Sequence, residues 1–169
     1  MRKLAVNQQA DDNKIEGALE ALAKSIARWT DKSDHLETAI SGLALYRRDE
    51  PTQPASGMYE PSLCLIAQGA KRVLLGDDTY VYDVHHFLIT SVDLPTVVQI
   101  IKASAEKPYL SLRLKLDLRE ISHLMADSNL PPPRTPESSR GMAIGEVTLP
   151  LLTAFQRLIE LLDEPNDLT

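Results

Sequence analysis

The residue types suited to metal or nucleophilic chemistry are few in this chain, and their spacing does not favour it. The histidines are His35, His85, His86 and His123. On a strand, His85 and His86 point to opposite faces and cannot both enter one barrel interior. A metal-holding barrel shows two His one residue apart, with a Glu and a further His later, and that arrangement is missing. The expectation is therefore no metal, with one of the paired histidines against the sheet and the other in water. Cys64 lies in the apolar run Leu63–Ala67, where a thiol acts as a small hydrophobe with a raised pKa. A single cysteine also excludes an internal disulfide or a Cys-rich zinc site. Neither Gly-x-Ser-x-Gly nor Gly-x-Gly-x-x-Gly is present, and Gly69 and Gly76 do not make a phosphate loop. Asp11–Asp12 and Asp77–Asp78 fall in a tail and a turn, where solvation accounts for them. No enzyme and no cofactor are expected.

Binding chemistry has better candidates. Tyr80 and Tyr82 are two apart on one strand, hence on one face, each with an apolar body and a polar tip. Lys71 and Arg72 stand on the strand expected opposite, and adjacent residues there face opposite sides. An inward Lys or Arg is rare unless paired, and a small barrel can hold one small ligand. The plainer alternative is a Tyr pair covering a sheet edge with both cations in solvent.

These residues need strands to position them, and the hydrophobic period supplies the strands. Ile15, Ala18, Leu19, Leu22, Ile26 and Trp29 recur at helical steps, and Asn13 with Glu16 forms a plausible capping box, so a helix is expected from Ile15 to Trp29 after a polar tail. From Leu36 to Leu116 short strands take over: Thr38–Arg47, Ser62–Ala67, Lys71–Leu75, Thr79–Asp83, Phe87–Val92, Thr96–Ala103 and Tyr109–Leu116. Thr52 to Pro61 reads as a loop. Ser62–Ala67 has no clean alternation, as in a strand covered on both faces. Gly76-Asp77-Asp78 marks a hairpin. In the last strand Leu110, Leu112, Leu114 and Leu116 share one face, with Tyr109, Ser111, Arg113 and Lys115 on the other. Asp117 caps a further helix to about Asp127, Asn129 to Gly141 is a Pro-rich loop, and Met142–Val147 is a short strand. Thr148 caps a last helix to about Leu162, with Pro150 in its first turn.

The expected fold is mainly β with flanking helices: a cupin-like antiparallel barrel or jelly roll, one N-terminal helix and C-terminal helices. Residues 1–32 make the tail and amphipathic helix, 33–128 the β-domain with its following helix, and 129–169 the loop, strand and last helix. That last helix carries two apolar stripes, which fit either a helix buried within its own domain or one with a stripe left to meet a second subunit or another segment. Leu151, Ala154, Leu158 and Leu161 are the candidates for self-association into a homodimer. The chain has 169 residues and a net charge of −6, with a pI near 5.2. It lacks a basic cluster for nucleic acid and an apolar run near the roughly 18–20 residues that span a bilayer. A polar start without a signal-peptide core points to the cytoplasm.

Six segments in order resemble one family: Tyr59-Glu60-Pro61-Ser62-Leu63-Cys64-Leu65, Gln68-Gly69-Ala70-Lys71-Arg72-Val73, Leu75-Gly76-Asp77, Tyr80-Val81-Tyr82-Asp83, Ser91-Val92-Asp93-Leu94-Pro95 and Pro108-Tyr109-Leu110. Together they are similar to the N-terminal domain of AraC-type transcription regulators, over about Leu36 to Asp127 and again over Leu152–Pro165. His86 sits where the family often has a His, and His85 departs from its usual Gly. The resemblance implies a cupin-like domain for effector sensing or dimerisation, joined to a DNA-binding domain with helix-turn-helix motifs that this chain does not contain. The chain is then expected to be part of a longer regulator, with a stand-alone domain as the alternative. Lys71 or Arg72, Tyr80, Tyr82 and His86 are the candidates for lining the site of an unidentified small-molecule effector. The rival expectations are a small cupin metalloenzyme and a pocketless dimerisation module.

Overall fold

Where the apolar spacing changes from helical to alternating, the chain passes from helix to strand. In the computed structural model, which describes residues 2–128 and 141–164, helix α1 spans Arg2–Trp29. It starts well before the expected capping box, so Asn13 and Glu16 stand inside the helix and the expected tail is helical from Arg2. Residues 2–13 contain neither Gly nor Pro, and Arg2, Lys3, Leu4, Ala5, Gln8, Gln9 and Ala10 are good helix formers, so nothing in them stops the helix. Leu19, Leu22, Ala23 and Ile26 form its buried stripe.

Ten strands follow. They are β1 (His35–Glu37), β2 (Leu43–Arg48), β3 (Ala55–Tyr59), β4 (Ser62–Gln68) and β5 (Ala70–Leu75), then β6 (Asp78–Asp83), β7 (His86–Thr90), β8 (Leu94–Lys102), β9 (Tyr109–Lys115) and β10 (Met142–Glu146). The strand expected at Thr38–Arg47 is broken into β1 and β2. The chain reverses through Gly42, whose φ of 82° favours glycine, and Thr38 Oγ1 donates to the carbonyl of Leu43 at 2.9 Å. The stretch expected as a loop contains β3, an exposed strand at a sheet edge, where poor strand formers are tolerated. The hairpin at Gly76 is present as expected. The Pro-rich stretch Asn129–Arg140 and the chain after Glu164 lie outside the described residues.

The strands form two antiparallel sheets, ordered β1-β2-β9-β4-β7-β10 and β3-β8-β5-β6. The pairs β5–β6, β4–β7, β3–β8 and β2–β9 are nested, as in a long hairpin folded over itself. That nesting is the jelly roll. Among the described residues no ladder joins the two sheets, so the expected barrel is an open two-sheet sandwich.

Two apolar cores result. One lies outside the six-stranded sheet, where Leu43, Leu45, Leu65, Leu110 and Leu112 meet α1 and α3 (Leu149–Glu160). The other lies between the sheets and includes Ile66, Val73, Leu88, Leu94 and Met142. Ser62–Gln68 is buried along almost its whole length because β4 is covered on both faces. Helix α3 starts at Thr148, whose Oγ1 accepts from the Leu151 N–H, and buries Leu152, Phe155 and Ile159. Its end is tied to α1 by Arg28, which donates twice to Asp163 at 2.8 and 2.6 Å. Helix α2 (Leu118–Asp127) is capped by Asp117, whose Oδ1 accepts from the N–H groups of Arg119 and Glu120. It buries none of its residues. Among the described residues no helix is long and apolar enough to cross a membrane.

Ile26 is fully buried where α1 crosses the sheet. Ile26→Ala is expected to lower stability by about 2–4 kcal/mol in urea unfolding. A loss well under that range would mean that α1 is not part of the core.

Candidate functional site

The two sheets do not fill the space between them. A cavity of about 330 Å³ remains, lined from both sides. The six-stranded sheet contributes Tyr46 and Arg48 from β2, Ser62 and Cys64 from β4, and Tyr109, Ser111 and Arg113 from β9. These residues share a face because pairing sets Tyr46 beside Ser111, Arg48 beside Tyr109 and Cys64 beside Arg113. The four-stranded sheet contributes Lys71, Tyr82, Val98 and Ile100, with Tyr59 at the end of β3. Lys71 pairs with Tyr82 on one side and Ile100 on the other. Four of the five tyrosines therefore meet here from four different strands.

The alternation of β9 divides its residues between two environments. Leu110, Leu112 and Leu114 pack toward the helices, while Tyr109, Ser111 and Arg113 turn to the cavity. The polar half of this strand is thus an internal surface.

The electrostatics of the cavity are unusual. Lys71 is half-buried, and its ammonium lies 5.2 Å from the centroid of the Tyr59 ring, a cation–π contact. No carboxylate lies within ion-pair distance of Lys71 among the described residues. Burial holds its amine below the ordinary lysine value, and Arg113 and Arg48 push the same way. Arg113 is differently placed: its guanidinium donates to Glu37 at 2.9 Å and lies 5.8 Å from the Tyr46 ring centroid. Its Nε is buried with no hydrogen-bond partner among the described residues, and so is the Tyr59 hydroxyl. Such groups are rare in folded proteins, because each forgoes its hydration without replacement. Burial raises the phenols of Tyr59, Tyr82 and Tyr109, which stay neutral, and raises the Cys64 thiol against the pull of Lys71. Glu60, the carboxylate at the rim, is engaged by Lys115 at 2.6 Å. The cavity offers donors and aromatic faces without an acid–base pair, which suits holding a molecule more than transforming one.

The expected site residues are distributed as follows. Lys71 and Tyr82 meet in the cavity. Tyr80 faces the same inter-sheet core but packs away from the cavity lining. Arg72 is exposed on the other side of β5, donating to Gln99 at 3.3 Å. His86 lies across the sandwich in a shallow groove with His85, Asp12 and Glu146, its Nδ1 3.1 Å from Asp83. Among the described residues no three His, Cys, Asp or Glu side chains are placed to hold a metal. Sequence reasoning missed Tyr46, Tyr59, Tyr109 and Arg113. The polar register of β9 was the available signal for the last two, and for the others only the scarcity of aromatics in the chain. The pocketless alternative is overturned by the cavity itself.

A jelly roll with helices on its outer face encloses a donor-rich cavity. Comparison with known proteins identifies its kind: the family model described as AraC-type transcriptional regulator N-terminus matches residues 39–169. The chain belongs to that family. No curated protein matches the sequence. Among solved structures, ToxT from Vibrio cholerae strain SCE256 is similar in two forms. Wild-type ToxT with unsaturated fatty acid bound gives a TM-score of 0.50 at 7% identity, covering 78% of this chain and 47% of that one. An apo ToxT variant gives 0.49 at 7% identity, covering 73% and 49%. The chain spans about half the length of these relatives, and at this identity the likeness is one of fold.

An ammonium drawn partly out of water, with no carboxylate beside it among the described residues, costs the fold stability. Lys71→Met is expected to raise stability by about 1–2 kcal/mol in urea unfolding at neutral pH. Because the folded-state value lies below the ordinary 10.5, the unfolded chain binds more protons between the two, and the wild type gains stability as pH rises. The gap between variant and wild type is then full below the lowered value and narrows toward pH 10.5. A gap that stays constant into alkaline solution would show that the charge of Lys71 is not its source.

Proposed function

We propose that this domain is the non-enzymatic, effector-sensing part of a cytoplasmic AraC-type regulator whose DNA contacts are made by a C-terminal helix-turn-helix domain outside this chain. The observation that carries the reading is the cavity between the sheets, whose wall includes Tyr59 with its hydroxyl buried and, among the described residues, partnerless. The fatty acid bound to ToxT supports a small molecule as occupant of this fold. Strand β9 provides the link to the rest of the molecule. A ligand that moves Tyr109 or Arg113 moves the backbone between them and the leucines that seat α1 and α3. Occupancy then biases the helical layer only to the extent that its two arrangements bind the ligand differently.

Two variants test this. Ser111→Phe fills the cavity from β9, and Tyr59→Phe removes only the unpartnered hydroxyl. An effector at about 100 times its Kd adds about 2.7 kcal/mol to the stability of the folded wild type. That gain, and effector-dependent reporter output from the full-length regulator, are expected to vanish in Ser111→Phe and weaken in Tyr59→Phe. Tyr59→Phe should leave the domain without effector at least as stable as before, because the hydroxyl it removes is buried without a partner among the described residues. A normal effector response in both variants would sink the reading.

The helical side carries a second role, homodimerisation. Leu151 and Leu158 are half-buried against the domain's own core, but Ala154 and Leu161 on the same stripe are exposed, as are Leu118, Leu124 and Met125 on α2. Substituting the exposed positions spares the core. Ala154→Glu with Leu161→Glu is expected to convert dimers to monomers in sedimentation velocity, and an unchanged profile would count against this surface.

A further inference from the structure

We infer that the cavity takes a compact aromatic monocarboxylate, with its carboxylate seated between Lys71 and the Tyr59 hydroxyl and its ring among the tyrosines. This rests on the cavity being the effector site and adds the chemical class of the effector.

The charge balance selects a single negative charge. Three cations border the cavity, and two are answered elsewhere: Arg48 has Asp34 at 3.6 Å and Arg113 has Glu37 at 2.9 Å. Among the described residues Lys71 has no carboxylate, only the face of Tyr59. One uncompensated ammonium in a low-dielectric space calls for a monoanion, where charge-assisted hydrogen bonds are strongest. The unused polar groups fit a carboxylate. The Lys71 ammonium, the Tyr59 hydroxyl and the Arg113 Nε–H can all donate, and a carboxylate only accepts. A hydroxyl-rich neutral ligand would bring donors of its own to a site whose unsatisfied groups are mainly donors.

Size and wall chemistry describe the remainder. The cavity is about 330 Å³, about twice the ~150 Å³ that takes a benzene, so at similar filling it holds about a dozen non-hydrogen atoms. Tyr46, Tyr82 and Tyr109 present rings, and Val98 and Ile100 present aliphatic surface. A planar aromatic body meets such rings in offset or edge-on contact.

The test uses benzoate, 3-phenylpropanoate and 4-hydroxycinnamate, each beside its primary amide, with cis-9-hexadecenoate as the long-chain comparison. Titration calorimetry is run on wild type, Lys71→Met and Ser111→Phe, whose folding is checked by circular dichroism. At least one acid is expected to bind roughly tenfold or more tighter than its amide, and tighter than hexadecenoate. Lys71→Met should remove that preference and leave the amide unaffected, whereas Ser111→Phe should remove both. Acid and amide binding alike, or no acid binding at all, overturns the carboxylate class and leaves the cavity as a site for something else. Hexadecenoate binding best overturns the compact aromatic body. Acid binding that survives in folded Ser111→Phe overturns the cavity as the site, which is the failure of the reading beneath.

Discussion

The arrangement of this domain depends on the two-faced burial of its central strands. β4 and β9 are covered by helices on one side and by the second sheet on the other. Their alternate residues therefore belong to different cores, and a slip of one residue would put leucines in the cavity and Arg113 against α1 and α3. The leucine row Leu110, Leu112 and Leu114 makes that exchange costly. The register so secured is what delivers Tyr109, Ser111 and Arg113 to the inner face and sets them beside Tyr46, Arg48 and Cys64.

Stability and binding capacity are separated in space as a result. The outer core is dense with aliphatic side chains, including the α1 stripe, although α1 lies outside the residues matched by the family model. Among the described residues the inner space keeps an ammonium without a carboxylate partner, an unpartnered phenol and a guanidinium nitrogen without an acceptor. Each of those costs folding free energy that the outer core must offset, a pattern expected where a site is held ready for a ligand. The same two-layer arrangement places the cavity one strand thickness from the helices, so that its lining and the seat of α3 share backbone.

What was legible from residue order alone was whatever depends on neighbours in the chain. The strand at Ser62 follows from its short continuous apolar run. The strands at Lys71, Thr79 and Tyr109, the hairpin at Gly76, and the caps Asp117 and Thr148 follow from alternation, turn residues and side chains that bond their own backbone. A tight hairpin makes neighbours of Lys71 and Arg72 on one strand and Tyr80 and Tyr82 on the other, so that grouping is legible, but not that Lys71 and Tyr82 are the pair that enters the cavity. The break at Gly42 and the edge strand β3 were not legible, since β3 exists by pairing with β8, some forty residues away. The early start of α1 was legible in its composition, but a polar first half resembles a tail until the helix is docked. Which way each strand faces, and that Tyr46, Tyr59 and Arg113 converge with Lys71, was decided by tertiary structure. Alternation says that two residues share a face, but only sheet order and the helices laid over one side determine which face is inside.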